Sequence, residues 1–139
     1  MLTTKKLTFE EFLAQYPDGY GIFELVNGDL VQVEATRADK NVARFLMFAF
    51  NNEIDRLGLD YIVDKDIVFR TRTASGKEQG RNPDVGVVLA SVWNENVLAG
   101  ALIEPIQLAV EVVSTNWEDD YVDKLDEYQR LGIAFFLDC

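Results

Sequence analysis

Apolar and polar positions follow two rhythms along this chain, and the switches between them mark its elements. Thr8-Phe9-Glu10-Glu11 has the form of a capping box, with Thr8 as N-cap and Glu11 three residues on. It predicts a short helix to about Gln15 that buries Phe9, Phe12 and Leu13, and Pro17-Asp18-Gly19 ends it. Gly21–Glu34 reads as a hairpin. Ile22, Leu25 and Val26 precede Asn27-Gly28, Leu30, Val31 and Val33 follow, and Asn-Gly accepts the two positive φ angles of a tight turn. Ala38–Leu57 carries Val42, Phe45, Leu46, Ala49, Phe50 and Ile54 at helical spacing, with Gly58 closing the helix. Met47 and Phe48 widen that stripe to a second face, as a central helix or a subunit contact would require; cores use the same residues far more often than cofactor sites do.

The second half is richer in strands. Asp60–Thr71 holds two apolar groups around Asp64-Lys65-Asp66 and reads as one or two strands. Arg70–Arg81 is polar, with glycines, and is expected to be a mobile loop. Val85–Leu89 and Ile106–Val113 are apolar runs of strand length, joined by Ala90–Glu104 with at most one helical turn. Asp119–Leu131 is a helix with Tyr121, Leu125 and Tyr128 on its apolar face, Gly132 follows as the C′ residue, and Ala134–Leu137 is a last strand. The order predicts an α+β (mixed α/β) domain, a largely antiparallel sheet with helices on its faces.

Composition narrows the chemistry. A chain of 139 residues is one domain by size. There is no histidine, which removes imidazole acid–base catalysis, Ser/His/Asp and Cys/His triads and most zinc sites. The single cysteine, Cys139, permits no internal disulfide and fits a reducing compartment. No apolar h-region opens the chain and no run approaches a membrane span, so a cytoplasmic protein without membrane contact is expected. The net charge of −11 should repel nucleic acid except where cations cluster. The densest such cluster is Arg70, Arg72, Lys77 and Arg81, either solvated loop charge or a local contact for an anionic backbone.

One constellation looks like chemistry. Glu111 lies inside Leu108–Val113, where an unpaired carboxylate is costly, and Asp84 stands at the mouth of Val85–Leu89. If those strands pair, both carboxylates reach one point, and two hard oxygens with a backbone carbonyl and waters suit magnesium. Lys124 lies one helical turn after Asp120 and one before Tyr128, at the edge of the buried face, where it could steady an attacking hydroxide or a pentacovalent phosphorus. The plainer alternatives are a Lys124–Asp120 salt bridge, a buried ion pair at Glu111, and a solvated Glu24 opposite Phe23 and Leu25.

At these residues the chain resembles the Uma2 family, restriction-endonuclease-like proteins formerly called domain of unknown function 820 and abundant in cyanobacteria. Phe23-Glu24-Leu25-Val26-Asn27-Gly28-Asp29 resembles the family's hairpin, Asn82-Pro83-Asp84-Val85 its Pro-Asp-Val motif, and Val110-Glu111-Val112-Val113-Ser114 its Val-Glu-Val-Leu-Ser segment. Asp120, Lys124, Tyr128 and Gly132 keep its Asp-x3-Lys-x3-Tyr-x3-Gly ladder. The resemblance implies a restriction endonuclease-like core, a mixed sheet flanked by helices, of the PD-(D/E)XK kind, and a magnesium- or manganese-dependent endonuclease acting on DNA. It implies Asp84 and Glu111 as metal carboxylates and the Val112 carbonyl as a third ligand. Lys124 then replaces the lysine expected where Val113 stands. It implies Glu24 as a further ligand or orienter, and Asp120 and Tyr128 as accessory residues. Arg70, Arg72, Lys77 and Arg81 would hold the DNA backbone, and the apolar long helix suits a homodimer. Thr115 in place of the usual proline, the absence of a histidine near Lys40-Asn41 and the short stretch after Gly132 depart from the family pattern, and the last implies a copy shortened at its C-terminal end. The rival expectation, favoured by the acidic charge, is a non-catalytic scaffold that keeps the fold; a scaffold has no reason to bind magnesium at Asp84 and Glu111.

Overall fold

The computed structural model describes residues 6–17, 19–33, 36–95, 97–112 and 118–138, and of 118–120 and 135–138 the backbone alone. Helix α1 (Phe9–Ala14) starts at Thr8 with the full capping box, both reciprocal bonds present. Strands β1 (Phe23–Val26) and β2 (Asp29–Gln32) form the expected hairpin, and φ is 51° at Asn27 and 84° at Gly28. Helix α2 (Arg37–Leu57) begins at the Thr36 cap and ends on Gly58 in the left-handed conformation.

Strands β3 (Tyr61–Asp64) and β4 (Phe69–Arg72) follow, and then β5 (Glu78–Arg81). The polar stretch from Arg70 is therefore no mobile loop. It is a β-hairpin, with Arg70 opposite Gly80 and Arg72 opposite Glu78. Its polarity misled because Thr71, Gln79 and Arg81 point inward to polar partners and hide the alternation that marks a half-buried strand. Strand β6 (Val85–Leu89), the short helix α3 (Ala90–Trp93), β7 (Leu108–Val112), α4 (Glu118–Arg130) and β8 (Ala134–Asp138) complete the chain.

The strands divide between two four-stranded sheets rather than joining one. The first, in the order β2-β1-β5-β4, is antiparallel. The second, β3-β6-β7-β8, is mixed: β3, β6 and β7 pair antiparallel, while β8 runs parallel to β7 after the α4 crossover. Three apolar clusters fix the layers. Phe9, Phe12 and Leu25 pack α1 onto the first sheet, where a Cβ on Gly80 would lie 2.7 Å from the Phe12 ring, so glycine permits the close approach. Ala43, Val85 and Val110 pack α2 onto the second sheet. Ile67, Phe69, Ala109 and Tyr128 join α4 to both sheets, with the Phe69 and Tyr128 rings stacked at 5.7 Å. The second apolar face of α2 stays open: Phe45 is 71% and Phe48 52% exposed. Among the described residues no helix is long and apolar enough to cross a membrane.

Candidate functional site

The register of β6 and β7 brings the two sequence-predicted carboxylates together. Val85 pairs with Val110, so one step further Asp84 and Glu111 come level. Pro83 and Asp84 lead into β6, and Asp84 Oδ2 accepts the Val112 amide at 2.6 Å. Glu111 shares a face of β7 with Ala109 and points toward α4, where the Tyr128 hydroxyl donates to its Oε1 at 2.7 Å. Lys124, one turn before Tyr128, places Nζ 4.0 Å from Glu111 Oε2 and 3.3 Å from Glu24 Oε2. Lys124 is buried. The Asp120 side chain, and with it the expected Lys124–Asp120 salt bridge, lies outside the described residues, as does Val113.

Glu24 is buried too, because its face of β1 is covered by a second protein layer and not by solvent. Its Oε2 accepts the Asn82 amide at 2.7 Å, and Arg81 Nη1 lies 3.8 Å from its Oε1. The Asn82 side chain in turn donates to the Ile67 carbonyl at 2.8 Å and to the Lys65 carbonyl at 3.1 Å. The segment that presents Asp84 is thus tied to β1 and to the β3–β4 connection.

The electrostatics of the pair are set by burial. Desolvation raises the Glu111 carboxyl to about 8, against the pull of Lys124 and the Tyr128 hydrogen bond, and with the Asp84 charge pushing the same way as burial. Asp84 is also raised, first by burial, in opposition to the Val112 amide and Lys124. Burial and the neighbouring Glu111 raise the Tyr128 phenol well above its ordinary value. Two adjacent carboxyls that both resist ionisation form a site short of positive charge. A hard divalent cation would supply that charge, and the donors present are hard oxygens, so the residues fit magnesium or manganese. The Val112 carbonyl already accepts the Tyr121 hydroxyl at 2.8 Å and keeps one lone pair for a further partner. Among the described residues no group of three or more His, Cys, Asp or Glu side chains is placed to hold a metal ion. Magnesium commonly needs only one or two carboxylates and keeps waters for the rest.

A cleft of about 520 Å³ opens on Asp84 and Asn82, between α2, the hairpin β1–β2 and the β3–β4 turn. Lys40, Lys65, Ile22, Val33 and Ala43 also line it. Glu111 and Lys124 are not on its wall. Lys40 and Lys65 were not singled out from the sequence as contacts, since neither belongs to a run of like charges.

The expected backbone-binding cluster divides. Arg81 is 1% exposed and grips Glu127 with Nε at 2.9 Å and Nη2 at 2.8 Å, so it is a core residue and leaves that set. Arg70 and Arg72 share Glu78 at 3.1 and 3.5 Å, and Lys77 is exposed at the β4–β5 turn. Glu127 was missed in the sequence. It sits between Lys124 and Tyr128 on α4, accepts from Thr71 and Gln79 as well, and could have been flagged only as a charge flanking the apolar stripe.

Comparison with known proteins agrees with this architecture. A crystal structure described as that of a putative nuclease belonging to DUF820, from Anabaena variabilis, superposes with a TM-score of 0.63 at 13% identity, over 94% of this chain and 73% of that one. At that identity the likeness concerns the fold. No curated protein matches the chain. The family model of Uma2, described as "putative restriction endonuclease", matches residues 9–137. The chain therefore belongs to the Uma2 family.

Proposed function

We propose that this protein is a magnesium- or manganese-dependent endonuclease that hydrolyses DNA phosphodiester bonds through a PD-(D/E)XK-type site with its lysine moved to α4. Asp84 and Glu111 would hold the cation, with the Val112 carbonyl as a further donor. When bound, the cation supplies Lewis acidity toward the scissile phosphate. Lys124 meets the negative charge that develops on the phosphoryl oxygens and orients the attacking water, from a position fixed by Glu24. Glu24 also holds the Asn82 amide and so sets where Asp84 stands. Tyr128 orients Glu111 by its hydrogen bond. The observation that carries the reading is the convergence of two charge-starved carboxylates and a buried lysine, from three elements, in a chain of a nuclease-like family.

The test is cleavage of supercoiled plasmid and of circular single-stranded DNA with magnesium or manganese. Asp84→Asn, Glu111→Gln and Lys124→Met run beside the wild type, each checked for folding by circular dichroism. The expected result is metal-dependent cutting that falls by about 10²-fold or more in each variant. Cutting that survives in all three, or a folded wild type that binds metal and cuts neither substrate, contradicts the reading.

The same reading takes the chain as a homodimer joined through the exposed Phe45 and Phe48 face of α2. Sedimentation should show a dimer for the wild type and a monomer for Phe48→Glu; a wild-type monomer at high concentration rejects it.

A further inference from the structure

The cleft beside Asp84 has a mixed lining. Ile22, Val33 and Ala43 are its apolar residues, and Lys40 from α2 and Lys65 from the β3–β4 turn line it with Asp84. Both lysines are exposed, and neither ammonium has a hydrogen bond or ion pair among the described residues. In a chain of net charge −11, these two lysines stand beside the candidate site together with Asp39, Asp66 and Asp84. Arg70 and Arg72, by contrast, are partly neutralised by Glu78.

Resting on the nuclease reading above, we propose that this cleft receives a single unpaired DNA strand, with Lys40 and Lys65 on phosphates flanking the scissile one and a base against Ile22, Val33 and Ala43. Three observations favour an unpaired strand over a duplex. A volume of about 520 Å³ is that of a pocket for a compact ligand, not of a trough for a double helix. The apolar lining, which is aliphatic and not aromatic, can pack against a base only where the base face is exposed, and in a duplex those faces are hidden in the stack. A duplex carries one charge per roughly 1.7 Å of axis and a single strand one per roughly 3.4 Å, so the acidic surface repels the duplex more strongly. Asp39 and Asp66 also line the cleft, so with Asp84 its carboxylates outnumber its lysines by one, and on this reading the strand binds only with a divalent cation at Asp84.

Fluorescence anisotropy with a short labelled oligodeoxynucleotide tests this, single-stranded or annealed to its complement, with calcium present. The single strand should bind at least about tenfold tighter than the duplex. Its log affinity should fall with log salt, and the Lys40→Ala/Lys65→Ala double variant should lower that slope by about 1.4, near 0.7 per lost phosphate contact. Equal or tighter duplex binding, no binding of either, or an unchanged double variant overturns the proposal. Cleavage in magnesium, run alongside, separates the two claims. Lysine-dependent single-strand binding without cutting leaves the cleft assignment standing and sinks the nuclease reading. Duplex cutting indifferent to both lysines does the reverse.

Discussion

Two buried ionic clusters lie side by side in this molecule, and they are built on opposite terms. In the first, Glu127 receives the Arg81 guanidinium through two nitrogens at 2.9 and 2.8 Å, with Gln79 at 3.3 Å and the Thr71 hydroxyl completing its shell. The pair is bidentate and fixed by both strands of the β4–β5 hairpin. In the second, Lys124 stands 3.3 Å from Glu24 and 4.0 Å from Glu111, and Glu111 and Asp84 are both pushed toward their neutral forms. Burial is similar at Glu127 and Glu111, so burial alone does not make a functional site. What differs is whether protein partners offset the loss of water. The first cluster is complete within the chain and pins α4 to the first sheet. The second is left short of positive charge, next to a cleft.

The largest expected effect breaks the complete cluster. Arg81→Met should destabilise the fold by about 3–5 kcal/mol, because Glu127 is left charged and buried. Lys124→Met should cost less, about 1.5–3 kcal/mol, since Glu24 keeps the Asn82 amide and Arg81. Denaturant titration of both variants reads the difference, and equal losses would erase the distinction between the two clusters.

The next effect is a pH dependence specific to the second cluster. Glu111 is raised from 4.5 to about 8 in the folded chain, so the folded state holds a proton that the unfolded state has released. The stability linked to this proton is present below about pH 4.5 and is lost as pH rises toward 8, at up to about 1.4 kcal/mol per unit. In metal-free protein, Glu111→Gln should flatten this slope. A slope that is the same in the variant would contradict the charge deficit at Glu111.

The smallest effect is that of Tyr128→Phe, which removes the hydroxyl that donates to Glu111. It should cost about 1 kcal/mol and raise the Glu111 carboxyl further, read as a shift of the same pH profile to higher pH. No shift would mean that Tyr128 only packs.

Much of this was legible in the sequence, for reasons of range. The capping box at Thr8, the Asn27-Gly28 turn and the apolar stripe of α4 are local signals, and the elements formed where they pointed. Asp84, Glu111 and Lys124 could be picked out because charge inside or beside an apolar run is itself an anomaly. What escaped depends on contacts between distant residues. The β4–β5 hairpin looked like a loop because its inward residues are polar, and Arg81 finds its partner 46 positions away. Alternation along β1 gave no sign that Glu24's face would be covered, because that cover comes from other elements. Lys40 and Lys65 meet only because α2 and the β3–β4 turn border one cleft.

The most direct test of the contrast is calorimetric titration of manganese into metal-free wild type, Asp84→Asn, Glu111→Gln and Arg81→Met, repeated in buffers of different ionisation enthalpy. One saturable cation should bind the wild type with net proton release, as expected when carboxyls of raised affinity for protons become ligands. Binding should weaken by at least about tenfold in the Asp84 and Glu111 variants, the loss that even outer partners of a metal site produce, and persist in folded Arg81→Met. No saturable binding by the wild type, or binding unchanged in both carboxylate variants, would contradict the assignment of the second cluster as the cation site.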